Sequence, residues 1–136
     1  MSDNPVAIVT GGSRGVGAAT AKMLSENGWN VLITCSSSIA EADKVAKSCS
    51  NESAQVHALQ ADVSNDSDCI ATINKAIELW GRIDTLINNA GTTKFAWDHS
   101  DLNSLDAEDF QRIYAVNVVG PFQMVKAAKE HLLKSA

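Results

Sequence analysis

Basic residues are scarce in this chain, and they are scattered. Eleven lysines and arginines stand against 16 acidic residues in 136, a net charge of −5. No Lys/Arg cluster can neutralise a phosphate backbone, which argues against a nucleic-acid partner. Long apolar runs are also missing. None approaches the roughly 20 residues of a membrane span, and Met1–Pro5 has no basic stretch leading into an apolar one. Neither a membrane role nor secretion is expected, and the cytoplasm is the default location. Cysteine is sparse: Cys35, Cys49 and Cys69 form no C-x-x-C pair and have no histidine at ligand spacing. That argues against a zinc centre or a disulfide framework, and small buried residues are the expectation. His57, His99 and His131 lie in a strand run, a polar loop and a helix C-terminus, and none sits in a motif. No metal site is expected. Linkers, repeats and low-complexity segments are absent too, leaving one domain at most.

What the chain does have begins at once. Val6 to Thr10 reads as a buried strand that runs into Gly11-Gly-Ser-Arg-Gly15-Val-Gly17 and re-emerges as an alanine-rich helix. A tight turn, backbone without a Cβ in the way, and the free N–H groups of a helix N-terminus are what a pyrophosphate requires. Gly11 supplies the turn, Gly15 allows close approach, and Gly17 lets the helix pack on the sheet.

The same rhythm continues along the chain. Val31 to Thr34, Val56 to Ala61 and Leu86 to Asn88 read as further short strands. Val16 to Asn27, Ile39 to Cys49, Asp68 to Trp80 and Asp106 to Lys134 read as helices. Gly28 and Gly81 are placed to end the first and third of these, and Asp106, with Glu108 and Asp109 behind it, to cap the last. Apolar runs between helices predict an α/β fold, a doubly wound parallel sheet covered on both faces. Pro121 should distort the last helix near Asn117. Met23, Met124 and Trp29 are expected to pack. Trp97 lies in a loop beyond a strand end, where such sheets bind ligands, and is a candidate substrate contact.

Thr10-Gly11-x-x-x-Gly15-x-Gly17, Asp62-Val63, Asn88-Asn89-Ala90-Gly91 and Val116-Asn117-Val118 occur in order, each at an element end or inside the long helix. Together they resemble the short-chain dehydrogenase/reductase family, nearest in look to 3-oxoacyl-carrier-protein reductases, over essentially the whole chain. The resemblance implies a Rossmann-type fold of which residues 1–136 are the N-terminal, NADP(H)-binding portion. It implies cofactor contacts from Gly11, Ser13, Arg14, Gly15, Val16 and Gly17. Asp62 would take the adenine amino group, with Val63 beside the ring, and Asn88, Ala90 and Gly91 would lie toward the nicotinamide ribose. Asn89 reads instead as a brace for strand ends. Asn117 matches the helix asparagine of the catalytic tetrad, whose carbonyl holds a water in the proton relay. Pro121, lacking an N–H, would leave that carbonyl free.

Cofactor choice is read about 18 residues past the last motif glycine, where NAD enzymes place a carboxylate. Here stand Cys35 and Ser36, which favours NADP(H). The family's serine, tyrosine and lysine have no counterpart: the single tyrosine, Tyr114, has Val118 four residues on. The expected function is therefore an NADP(H)-dependent oxidoreductase acting on a small carbonyl or alcohol, its acid supplied from sequence not in this chain. The alternative is a non-catalytic dinucleotide-binding or regulatory module. The resemblance also implies a homo-oligomer formed through the last helix, with Phe110, Ile113, Val116 and Phe122 sharing core and interface duties.

Overall fold

Side-chain alternation along the central strands decides the layers. In the computed structural model, which describes residues 3–136, Val6 and Ile8 of β1 (Val6–Val9) and Leu32 of β2 (Asn30–Cys35) enter one core with α3 (Asp66–Trp80) and α5 (Gly120–Ser135). Val9, Val31 and Ile33 point the other way, into a second core with α1 (Gly15–Glu26) and α2 (Ile39–Cys49). Residues two apart share a face, so a continuous apolar run feeds both layers. Every residue of β1 and β2 is buried, whereas β3 (Val56–Gln60) and β4 (Thr85–Ile87) are only partly so. Their positions explain this: the sheet runs β3-β2-β1-β4, all pairs parallel, with β3 and β4 on the outside. This is the Rossmann-like, doubly wound sheet expected.

Local chemistry sets the element ends. Gly28 and Gly81 follow α1 and α3 with φ of 82° and 75°. The third helix begins at Asp66, two residues earlier than the pattern suggests, because Asn65 caps it by accepting from Ser67 N–H. Asp106 starts α4 (Ala107–Tyr114) with a full capping box, its carboxylate taking the Asp109 N–H while that of Asp109 takes the Asp106 N–H.

The predicted long helix from Asp106 to Lys134 is not continuous. Between α4 and α5, residues Ala115–Val119 form a π turn in which Gly120 N–H donates to the Ala115 carbonyl, five residues back. Pro121 has no N–H for the Asn117 carbonyl, so the distortion falls where proline predicts it.

Met124 is fully buried, as expected, and Trp29 packs against the second core. Met23 is a correction: it points to solvent from α1, 68% exposed. All three cysteines are free and buried. His57 sits on the edge strand, its ring edge-on to Trp80 at 5.7 Å. No helix among the described residues is long and apolar enough to cross a membrane, and no His/Cys/Asp/Glu group there could hold a metal.

Candidate functional site

From β1 the chain winds outward through β2 to β3 and then crosses back to β4 on the other side of β1, so the strand order reverses between β1 and β4. At such a switch point the loops beyond the strand ends part, leaving a crevice. Here the glycine loop after β1 and residues 89–92 after β4 meet across a cavity of about 730 Å³. The glycine loop contributes Gly11, Ser13, Arg14, Gly15 and Val16 to the wall; Cys35 and Ser36 come from the end of β2, Asp62 and Val63 from the end of β3, and Ala90 and Gly91 from the end of β4.

The N-terminus of α1 opens into this space. Arg14 is its N-cap residue and makes no side-chain cap bond, and no acidic residue stands in the first turn. The helix thus presents unsatisfied N–H groups and its positive dipole end. Gly15 has φ +56°, and a Cβ there would meet nothing within 4 Å, so the space before it is open. Arg14 and Val16 are exposed, and Arg14 forms no ion pair among the described residues.

Behind the loop the chain is braced tightly. Asn89 donates through Nδ2 to the carbonyls of Thr10 and Gly11, both at 3.0 Å. The Thr10 hydroxyl accepts from the Asn89 and Ala90 N–H groups at 3.1 and 3.0 Å. Asn89 is a brace, as its sequence position suggests. Gly17 lies outside the cavity wall and works from behind: a Cβ there would stand 2.2 Å from the Gly11 carbonyl oxygen. Gly12 has the same kind of role, its missing Cβ falling 2.5 Å from that of Ile33. Gly12 falls on an unspecified position of the glycine motif, and Thr10, the motif's first residue, carries no role of its own in the sequence pattern.

Other predicted residues divide between cavity and scaffold. Asp62 is exposed at the cavity wall, and its Oδ1 already accepts from the Ser64 N–H and hydroxyl at 2.9 and 2.7 Å. Its turn-capping role is therefore real. The Val63 side chain is in the core, and its carbonyl accepts from Gln123 Nε2 at 2.8 Å and from the Cys69 thiol at 3.2 Å. Ser36 is fastened by Gln60, whose Nε2 donates to its carbonyl at 3.1 Å. Burial, aided by Asp43, raises the Cys35 thiol pKa; burial, aided by Asp66, pushes that of Cys69 up to about 11. Both remain protonated near neutrality, so neither is a nucleophile.

Asn88 and Asn117 do not line the main cavity. They meet in an adjoining recess with Pro121 and Thr93, and Ala90, Gly91 and Thr92 border both spaces. Trp97 lies elsewhere, 91% exposed and stacked on Phe95 with ring centroids 5.5 Å apart. Tyr114 lines neither space and is exposed on α4.

Residues 5–136 match the family model for short chain dehydrogenases. The chain belongs to that family. It is 37% identical over 130 residues to an uncharacterized oxidoreductase of Methylorubrum extorquens, an alignment covering 96% of this chain and 51% of that protein. Two solved structures share the architecture. A short-chain dehydrogenase from Burkholderia cenocepacia in complex with NADP superposes with a TM-score of 0.86 at 34% identity, over 94% of this chain and 51% of the other. The 3-ketoacyl-(acyl-carrier-protein) reductase of Brucella melitensis, complexed with NADH, gives 0.82 at 31%, over 93% and 50%. The chain spans about half the length of these relatives.

Proposed function

We propose that this short-chain dehydrogenase chain binds NADP(H) and forms the cofactor-holding portion of a carbonyl reductase or alcohol dehydrogenase, 3-oxoacyl thioesters being one substrate class in view. The observation that carries the reading is the cavity at the β1/β4 switch point, into which the uncapped N-terminus of α1 opens across Gly15. Such a cradle fits a pyrophosphate, because free N–H groups and a positive helix end meet the anion where no side chain blocks it. Gly11, Ser13, Arg14 and Gly15 would hold the phosphates, Asp62 and Val63 the adenine, and Ala90, Gly91 and Asn88 the nicotinamide ribose side. Bound there, the reduced nicotinamide supplies a hydride to a carbonyl carbon.

The residues at the end of β2 support NADP(H) over NAD(H). Cys35 and Ser36 put no carboxylate against a 2′-phosphate, and the Arg14 guanidinium lines the same cavity without a protein carboxylate to neutralise it. Among the structural relatives, cofactors of both kinds are named, NADP in one and NADH in another. Asn117 contributes through its carbonyl, which Pro121 deprives of the usual helical donor. That carbonyl can hold a water leading protons to the recess.

The acid that protonates the developing alkoxide is not Tyr114, which faces solvent away from both spaces. In this reading a serine, a tyrosine and a lysine come from the half of the family length that the chain does not span. The second reading is a dinucleotide-binding module without catalysis. Phe110, Tyr114, Val118 and Phe122 recur every four residues on the exposed face of α4, the π turn and α5, and they support assembly through this helical run. Ile113 and Val116 are half-buried, Val116 against the first core.

Fluorescence titration tests the cofactor assignment. NADPH should bind at least tenfold more tightly than NADH, and Arg14→Ala should remove most of that difference, since one charge-assisted phosphate contact gives about 1.5–3 kcal/mol. Equal affinities, or an unchanged NADPH constant in Arg14→Ala, would defeat it. NADPH-dependent reduction of a ketone by the full-length protein separates the two readings.

A further inference from the structure

The three residues that follow Gly91 are held down by side chains from a single helical run. Asn117 accepts the Thr92 N–H at Oδ1 and donates from Nδ2 to the Thr92 carbonyl, each at 2.8 Å. Arg112 donates from Nη1 to the Thr92 hydroxyl at 2.6 Å and from Nη2 to the Thr93 carbonyl at 3.4 Å. Lys94 Nζ meets Asp109 Oδ2 at 2.7 Å, the same carboxylate that closes the capping box of α4. The π turn helps to align these groups. In an unbroken α-helix Asn117 would lie about 80° around the axis from Asp109, and the extra residue in the turn brings it back toward that face.

This strap is also a partition. Thr92 borders both the large cavity and the adjoining recess, and Arg112 stands in the wall of the large one. Unlike Lys94, Arg112 has no carboxylate partner among the described ion pairs; its recorded bonds go to a hydroxyl and a carbonyl of the strap. A planar fork bonded to two consecutive residues fixes orientation as well as distance. We infer that Arg112 is a positioning residue. Through Thr92 it sets the wall between the space assigned to the dinucleotide and the recess to which Asn117 leads protons, and this rests on the reading proposed above. The reaction feels Arg112 through geometry, because a misplacement of about 1 Å between reacting groups can cost about a hundredfold in rate.

The test uses the full-length protein with NADPH and a ketone, comparing Arg112→Ala, Thr92→Val, Thr92→Ser and the double variant Arg112→Ala/Thr92→Val. Arg112→Ala should lower kcat by tenfold to a hundredfold while the NADPH dissociation constant stays within threefold, since the phosphates are held elsewhere. Thr92→Val should match it, Thr92→Ser should retain most activity, and the double variant should lose no more than either single one. Additive losses, unchanged kcat, or a parallel fall of kcat, NADPH affinity and melting temperature would overturn the positioning role. Hydrogen exchange gives a readout independent of turnover: the Thr92 amide, which donates to Asn117 Oδ1, should exchange at least tenfold faster in Arg112→Ala. If the wild-type protein reduces no ketone, the proposed activity fails on its own account, and exchange decides the strap: unaltered exchange would refute it.

Discussion

Alanine at position 17 should damage both stability and nucleotide binding, although alanine favours helices and Gly17 lies in one. Its Cβ would stand 2.2 Å from the Gly11 carbonyl oxygen and 2.6 Å from Asn89 Nδ2, where ordinary contact starts at 3.4 Å, so something must yield by more than 1 Å. The Gly11 carbonyl is anchored by Asn89, and Gly12 N–H is bonded to the Thr34 carbonyl at 2.9 Å, so the loop is not free to retreat. Overpacking of this kind costs about 1–3 kcal/mol, and each Asn89 bond that is lost adds about 1 kcal/mol. The helix preference of alanine returns at most about 1 kcal/mol. A net loss of about 2 kcal/mol should appear in urea melts followed by circular dichroism. The start of α1 moves with the clash, and losing one N–H contact to a charged phosphate, worth about 1.5–3 kcal/mol, should weaken NADPH by tenfold or more. Gly15→Ala separates the two effects: no atom lies within 4 Å of its Cβ, so only the strain of a left-handed φ, about 1–2 kcal/mol, burdens the fold while the nucleotide's approach is filled. A Gly17→Ala protein that melts within 0.5 kcal/mol of wild type, on the order of a neutral surface change, and binds NADPH normally would refute the reasoning.

Two further outcomes follow from the charged groups. Asp84 takes the Val6 N–H at 2.8 Å and the Arg82 guanidinium at 2.9 and 2.6 Å, and the Arg82 hydrogen bonds hold its carboxyl below the usual range. Asp84→Ala should cost about 1–2 kcal/mol at neutral pH, and the penalty should vanish as pH falls through the lowered carboxyl pKa, below the ordinary value of about 3.9; equal penalties at pH 7 and pH 2 in urea melts would contradict this. Asp109 is likewise depressed, first by its hydrogen bond to Lys94 and then by the Asp106 N–H. Its carboxyl should titrate below the ordinary carboxylate value and move closer to that value in Lys94→Met, which an NMR titration of that carboxyl would show.

Local features of this protein are well marked in its residues, and long-range ones are not. The glycine spacing, the capping run from Asp106 to Asp109 and Pro121 each act within a few positions, so the turn, the helix start and the distortion near Asn117 are all legible. Alternation in β1 and β2 serves both cores, which makes the doubly wound arrangement legible as well. The helix start at Asp66 escapes the apolar pattern because a polar cap, Asn65, decides it. Arg112 and Thr92 are 20 residues apart, and nothing in either neighbourhood announces the other. Met23 misleads because its spacing fits an apolar stripe, while smaller residues such as Ala21 already fill the contact with the sheet.

The brace at Asn89 has a consequence for the order of events in folding. Its amide shapes the turn at Thr10 and Gly11 from 78 to 79 positions away in the chain, so the loop cannot reach its final geometry until β4 has docked beside β1. Closing a contact of that length is slow compared with forming α1 or pairing β1 with β2. A nucleotide therefore has nothing to select while the first half of the chain is collapsing. Once β4 docks, a nucleotide held as proposed would bind the docked state alone and pull the equilibrium toward it.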